Sequence, residues 1–313
     1  MILPRAFPFA RMRGQAAAIS VAALSLLALS CRAADTPASP RIFMWKATNK
    51  AGAVVYLVGS MHLAMPNLYP LPPAMEEAFD KSDTLVVEAD ITKIDREAMR
   101  KKMDEMGTYP KGDLLSKHLT SDGSALLKTF CKENGLSLLA FERMKPWVAS
   151  MTLKMILAQK AGLNPSSGID QHFLAAAADK HKQVVELESP EFQFNMLAGL
   201  PDASMELDLQ HTLIDAPRIR EAVKELTDAW RAGDAAAVNR IAHDMETGDD
   251  PALKEMEKVL IDDRNGPMAD KIAEKCASEH PLFIVVGAAH LVGEQGVLHL
   301  LEAKGFRVEQ VSK

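Results

Sequence analysis

Val54-Val55-Tyr56-Leu57-Val58-Gly59-Ser60-Met61-His62 lies near the start of the chain. Leu282-Phe283-Ile284-Val285-Val286-Gly287-Ala288-Ala289-His290 lies near its end. Each is an apolar run rich in β-branched residues, then Gly, two small or flexible residues, and His. Such a run reads as a strand buried on both faces. In an open α/β sheet, ligands collect beyond the carboxyl ends of the strands. A Gly at that point lets the backbone turn tightly or approach a ligand closely. Two such strands side by side would bring His62 and His290 into one pocket from opposite ends of the sequence. A third Gly-x-x-His, Gly296-Val297-Leu298-His299, follows no strand and lies in a helical pattern, so the strand context carries the signal. The same two phrases also fit buried strands whose histidines merely pack or bond locally.

Working outward, Phe43 to Ala47, a turn at Asn49 to Gly52, and Val54 to Val58 predict a β-hairpin. A loop from Pro66 to Pro73 leads to a short helix, Ala74 to Lys81. Thr84 to Glu88 is the next strand and ends in a carboxylate. Helices are predicted over Arg96 to Met106, Gly123 to Asn134 and Lys145 to Ala161. Pro146 suits a first helical turn, with Trp147 packing behind it. Asp170, in Gly168-Ile169-Asp170, reads as an N-cap of another helix. Gln183 to Glu188 is a strand that again ends in Glu. Residues 191–280 read as almost wholly helical, followed by the Phe283 to Val286 strand, a helix over Gln295 to Lys304, and a last strand, Phe306 to Gln310. The expected fold is mixed α/β, with a central sheet built from N- and C-terminal segments and a large helical cap at about 191–280.

With 313 residues the chain can bury one large core or two smaller ones. A net charge of −6 and 5% aromatic residues argue against a nucleic-acid surface. Residues 1–34 read as an export signal: Arg5, Arg11 and Arg13 precede an uncharged stretch from Ala16 to Ser30 that is too short and Ala-rich for a membrane span. Ala28-Leu29-Ser30-Cys31 resembles a bacterial lipobox, while Ala33 and Ala34 suit ordinary signal cleavage. The mature protein is therefore expected to be periplasmic, or an outer-membrane or cell-surface lipoprotein held only through a lipid on Cys31. Residues 35–40 form a short flexible segment, and 41–313 the folded domain. Removing the arginines makes the mature chain more acidic, which does not favour an anionic membrane surface. Cys131 and Cys276 remain, either as one disulfide or as two buried thiols.

Four strand ends carry polar residues: His62, Glu88, Glu188 and His290. Imidazole and carboxylate form a ligand set for zinc, manganese or cobalt. A metal so held polarises a carbonyl and lowers the pKa of water. Glu88 and Glu188 fit equally as ion-paired or capping residues at a sheet edge. Arg264-Asn265, before Gly266-Pro267, is read as lying between two helical segments. From there Arg264 could hold a site Glu or a substrate carboxylate; a solvated turn is the plainer alternative. Gly-x-Ser-x-Gly and His-Glu-x-x-His are both absent, which excludes the nucleophile elbow and the common zinc-protease helix. The other histidines, among them His118 and His172, read as surface or core residues.

Taken together, Tyr56 to His62, Val86-Val87-Glu88-Ala89-Asp90, Gly168-Ile169-Asp170, Glu186-Leu187-Glu188, Asp263-Arg264-Asn265 and Val285 to Leu291 resemble the TraB/GumN family, which includes the Tiki proteins. The resemblance covers roughly residues 41–312. It implies a fold related to the erythromycin-esterase and ChaN-like proteins, and an active centre at His62, Glu88 and His290. Tiki members are described as manganese- or cobalt-dependent proteases. The leading expectation is thus an exported metallohydrolase acting on a peptide or protein substrate. His62, Glu88 and His290 would bind a divalent metal (Mn, Co or Zn), Glu188 or an uncoordinated Glu88 would be general base, and Arg264 would orient a carboxylate. A metal-independent esterase-like hydrolase and a non-catalytic binder of peptide or haem are the alternatives. Arg264 is expected to point back to the pocket, near Glu88 or Glu188 and not into solvent, with the helical middle forming a cap over the strand ends.

Overall fold

A computed structural model describes residues 40–246, 250–276 and 281–313. Residues 1–34, expected to be an export signal, and residues 35–39 lie outside the described residues. In chain order the main elements are β1 (Arg41–Thr48), β2 (Val54–Ser60), α1 (Pro73–Asp80), β3 (Thr84–Val87), α2 (Arg96–Met106), α3 (Ser121–Glu133), α4 (Pro146–Lys160), α5 (Ile169–Asp179) and β4 (Gln183–Glu186). They continue with α6 (Pro190–Ala198), α7 (Asp202–Asp215), α8 (Ile219–Ala232), α9 (Ala235–Glu246), α10 (Pro251–Glu257), α11 (Asp263–Lys275), β5 (Leu282–Gly287), α12 (Ala288–Leu291), α13 (Val297–Ala303) and β6 (Arg307–Ser312). This is the mixed α/β class expected. Among the described residues, no helix is long and apolar enough to cross a membrane.

The strands form one six-stranded sheet in the order β4-β3-β5-β2-β1-β6. The hairpin forms because Asn49 turns the chain: its Oδ1 accepts from the N–H groups of Ala51 (3.0 Å) and Ala53 (2.9 Å), and Gly52 adopts φ +88°. β2 and β5 are parallel neighbours, with Gly59 opposite Val286 and Ser60 opposite Gly287. The two Gly-x-x-His phrases therefore run side by side, offset by one residue. β5 also pairs with β3, and β3 with β4, all parallel. The carboxyl ends of β4, β3, β5 and β2 consequently line up along one edge.

Every residue of β5 is buried, which explains its unbroken apolar run. On one side Phe283 meets Phe79 of α1 and Phe173 of α5, with ring centroids 5.4 and 4.7 Å away. Burying each such ring contributes roughly 1.5–3 kcal/mol. Elsewhere in the same core Phe43 of β1 packs near Trp230 of α8, at 6.2 Å. A second core joins Leu127 of α3 and Leu153 of α4 to Leu209 of α7, and a third gathers Trp147, Phe194, Met205 and Leu253. The helical layer thus draws α3 and α4 in with the 191–280 stretch. Cys131 belongs to the second core and Cys276 to the sheet core; both are buried free thiols, so the disulfide alternative is overturned.

Candidate functional site

The site assembles where four parallel strands end. His62 follows β2, Glu88 follows β3, and Glu188 follows β4. His290 sits on the one-turn helix α12, directly after β5. The Nε2 atoms of His62 and His290 each lie 3.9 Å from the same Glu88 oxygen, Oε1. Gly287 explains how they converge. A Cβ at this position would stand 3.1 Å from Glu88 Oε1, 3.2 Å from His62 Nε2 and 3.4 Å from His290 Cδ2. The missing side chain keeps open the space that these three groups surround, and the Gly287 N–H donates to Glu88 Oε1.

Each imidazole is oriented through its other nitrogen. His62 Nδ1 lies 3.2 Å from Asp170 Oδ1, and His290 Nδ1 lies 2.7 Å from Asn265 Oδ1. Asp170 is not the helix cap expected from its sequence position. Gly168 is the N-cap residue of α5, and Asp170, in the first turn, turns its carboxylate to Ser60 Oγ (2.7 Å) and His62. The reason is steric. A Cβ on Gly168 would fall 2.5 Å from the His62 carbonyl oxygen, so a glycine here lets α5 begin directly against the His62 backbone. The Ile169 N–H then donates to Met61 O at 3.2 Å. Ser60 Oγ also accepts from the Asp170 N–H at 3.2 Å, which commits that hydroxyl to structure.

Arg264 points inward. It lies in the first turn of α11, preceded by a π-helical turn (Lys258–Asp262), and not between separate helices as expected. Its Nη2 donates to Glu88 Oε2 (3.0 Å) and Glu188 Oε2 (2.7 Å), its Nε to Glu188 Oε1 (2.9 Å), and its Nη1 to Leu260 O (2.6 Å). All three charged side chains are nearly buried. Gln193 of α6 bridges the same carboxylates, reaching Glu188 Oε2 at 3.0 Å and Glu88 Oε2 at 3.3 Å. Glu188 is thus committed to Arg264 and Gln193.

The charges follow from these contacts. Burial opposes ionisation of Glu88, but His290, His62, Arg264 and the Gly287 N–H outweigh it and bring its pKa down to about 2. Burial holds His290 down to about 4, so it is neutral at pH 7. For His62, desolvation by surrounding elements again works against charge. The hydrogen bond to Asp170 and the fields of Glu88 and Asp170 prevail and raise it to about 9. His62 is also the open member, with 56% of its side chain exposed against 4% for His290.

Two imidazoles and a carboxylate around a glycine-made space suit a divalent ion in donor chemistry. Each His has its Nδ1 tied to an oxygen acceptor, the outer support that metal-binding imidazoles require. As they stand, no three or more His, Cys, Asp or Glu side chains among the described residues are placed to hold a metal ion together. Asp170, Asn265 and Gln193 went unrecognised as site residues. Asp170 and Asn265 lie inside motifs that were visible, but nothing in a motif shows which way a side chain turns.

The chain matches the model of the TraB/PrgY/gumN family over residues 43–310. It is also 29% identical over 251 residues to the uncharacterized protein YbaP of Escherichia coli (strain K12), an alignment covering 79% of this chain and 87% of YbaP. The Shigella flexneri protein of the same name matches equally. No solved structure gives a significant match. The chain belongs to the TraB/PrgY/gumN family.

Proposed function

We propose that this chain is an exported hydrolase acting on peptide bonds with the help of a divalent metal held by His62, His290 and Glu88. One observation carries the proposal: both Nε2 atoms converge on Glu88 Oε1 around the space left by Gly287. When bound, manganese, cobalt or zinc would supply Lewis-acid polarisation of the scissile carbonyl and a more acidic water. The chain's own residues supply the rest. Asn265 and Asp170 fix the two imidazoles with Nε2 inward. Arg264 keeps Glu88 ionised and in place, and Glu188 holds Arg264. Glu88 Oε1, 3.9 Å from the Nε2 atom of each imidazole, is the general base whenever it is not a ligand. Glu188 acts through Arg264, because its oxygens already accept from Arg264 and Gln193.

A second, metal-independent reading is favoured by the opposed protonation of the two histidines. Groups whose environments push their pKa values apart suit paired acid and base work. Neutral His290 would take a proton from the attacking water at Nε2, and protonated His62 would give one to the leaving amine.

Metal analysis of the purified mature protein, with peptide hydrolysis measured before and after chelation, separates the two. Activity lost to chelator, restored by manganese, cobalt or zinc, and absent from His62→Ala supports the first. Chelator-resistant activity that His62→Ala abolishes selects the second. Peptide or haem binding without turnover would overturn both in favour of a binder. Export, and the choice between a soluble periplasmic protein and one lipidated at Cys31, rests on residues 1–34 and is checked by mass spectrometry of the mature N-terminus.

A further inference from the structure

Beside the histidine centre, at the end of β4, lies an open cleft of about 840 Å³. Leu187, Phe192, Met196, Val259 and Met268 give it an apolar lining. Phe192 and Met196 are one turn apart on α6 and therefore share a face. Phe192 is 49% exposed, unusual for a large aromatic side chain. The volume falls within the range of small-ligand sites. The cleft shares a wall with the centre: Arg264 and Glu188 line it, and Arg264 is also the partner of Glu88.

The sheet order fixes the direction in which a substrate would lie. From the cleft the strand ends run β4, β3, β5, β2, carrying in turn Glu188, Glu88, His290 and His62. A substrate that reaches both cleft and histidines must cross the strands at their carboxyl edge. Neighbouring strands are about 4.8 Å apart, so β4 and β5 are separated by about 10 Å. An extended peptide rises about 3.3 Å per residue, so about three residues cover that distance.

Resting on the peptide-hydrolase reading, we propose that this cleft is a specificity subsite. It takes an apolar side chain of an extended peptide about three residues from the bond broken over Gly287. Phe192 and Met196 are the residues that select it. Asn195, polar and also in the cleft wall, is placed to bond the peptide backbone.

The test uses the mature protein and a mixed-sequence peptide library, with products sequenced by mass spectrometry. Wild type should enrich Leu, Met or Phe at one position, three or four residues from the cut. In Phe192→Ser/Met196→Ser that enrichment should vanish. For a peptide carrying Leu there, KM should rise about tenfold while kcat changes little, the scale of losing apolar contacts from a pocket. Binding of the same Leu peptide to His62→Ala, and its loss in His62→Ala/Phe192→Ser, is the second measurement. Cleavage with identical preferences in wild type and the double variant overturns the subsite and leaves the hydrolase reading standing. Binding that depends on Phe192, with no cleavage by wild type, upholds the subsite and removes the hydrolase. Neither cleavage nor binding overturns both.

Discussion

Asn265 decides which nitrogen of His290 faces the candidate centre. Its Nδ2 donates to the carbonyl of Gln295 at 2.9 Å, so its Oδ1 must be the atom 2.7 Å from His290 Nδ1. An amide oxygen only accepts, so the imidazole proton resides on Nδ1. His290 Nε2 therefore presents a lone pair toward Glu88 and the space above Gly287, whether its role is to bind an ion or to accept a proton.

Asn265→Ala is expected to leave the fold intact and release that tautomer. Losing the partner of a buried ring nitrogen costs about 1–3 kcal/mol. Loss of the outer hydrogen bond of a metal-binding His typically weakens metal affinity or activity by about 10- to 100-fold. Long-range ¹H–¹⁵N spectra of the His290 ring should show protonated Nδ1 in wild type and a mixture in the variant. A wild-type spectrum with the proton on Nε2 would contradict the assignment outright.

Arg264→Leu should be among the most destabilising substitutions in the chain. It strands the buried carboxylates of Glu88 and Glu188, and breaking a buried pair from one side costs about 3–5 kcal/mol. Arg264→Lys should recover little, because one ammonium cannot reproduce the forked contacts. Adding Glu88→Gln to Arg264→Leu should return part of the lost stability. Urea unfolding of the three variants measures this; equal stability of wild type and Arg264→Leu would show that the ion pair is not structural.

Gly287→Ala tests the space itself. The new methyl would sit 3.1 Å from Glu88 Oε1 and 3.2 Å from His62 Nε2, tight contacts on both sides. Overpacking of this kind costs about 1–3 kcal/mol. Activity and metal uptake should fall far more than stability does. A variant that binds metal and turns over like wild type would remove Gly287 from the site.

The acid–base behaviour of His62 gives a pH prediction. Its pKa is about 9 in the folded protein against an ordinary value of 6.5. In metal-free protein its contribution to stability is complete below pH 6.5 and is lost as pH rises through about 9. The stability difference between wild type and His62→Ala should therefore shrink between about pH 6 and 10. Because a ligand His must be neutral, metal affinity should strengthen across the same interval, with release of a proton. Glu88 behaves oppositely: its contribution is present above its ordinary range and is lost as pH falls toward about 2. A pH-independent difference for His62→Ala would mean that Asp170 does not hold its proton.

Local pattern made much of the fold legible. The hairpin, the helix over Arg96–Met106 and the buried strands all follow from periodicity, turn chemistry and unbroken apolar runs. His62, Glu88, Glu188 and His290 could be named because a strand ends abruptly, and the polar residue that ends it is conspicuous after an apolar run. Sequence also pointed Arg264 toward Glu88 or Glu188, but the direction and partners of Asp170, Asn265 and Gln193 lay beyond it. Asp170 looked like a cap because short acidic residues at helix starts usually are, yet the contact between Gly168 and the His62 carbonyl turned it to the imidazole. Arg264 and Asn265 are adjacent in sequence but serve different groups, Glu88 with Glu188 and His290 respectively. The exposed cleft at Phe192 exists only because α6, β4 and α11 meet. Periodicity is a property of the local chain and can be read from it. Side-chain partnership across 108 residues, as in His62 with Asp170, is set by packing of the whole sheet and helical layer, and only the tertiary structure decides it.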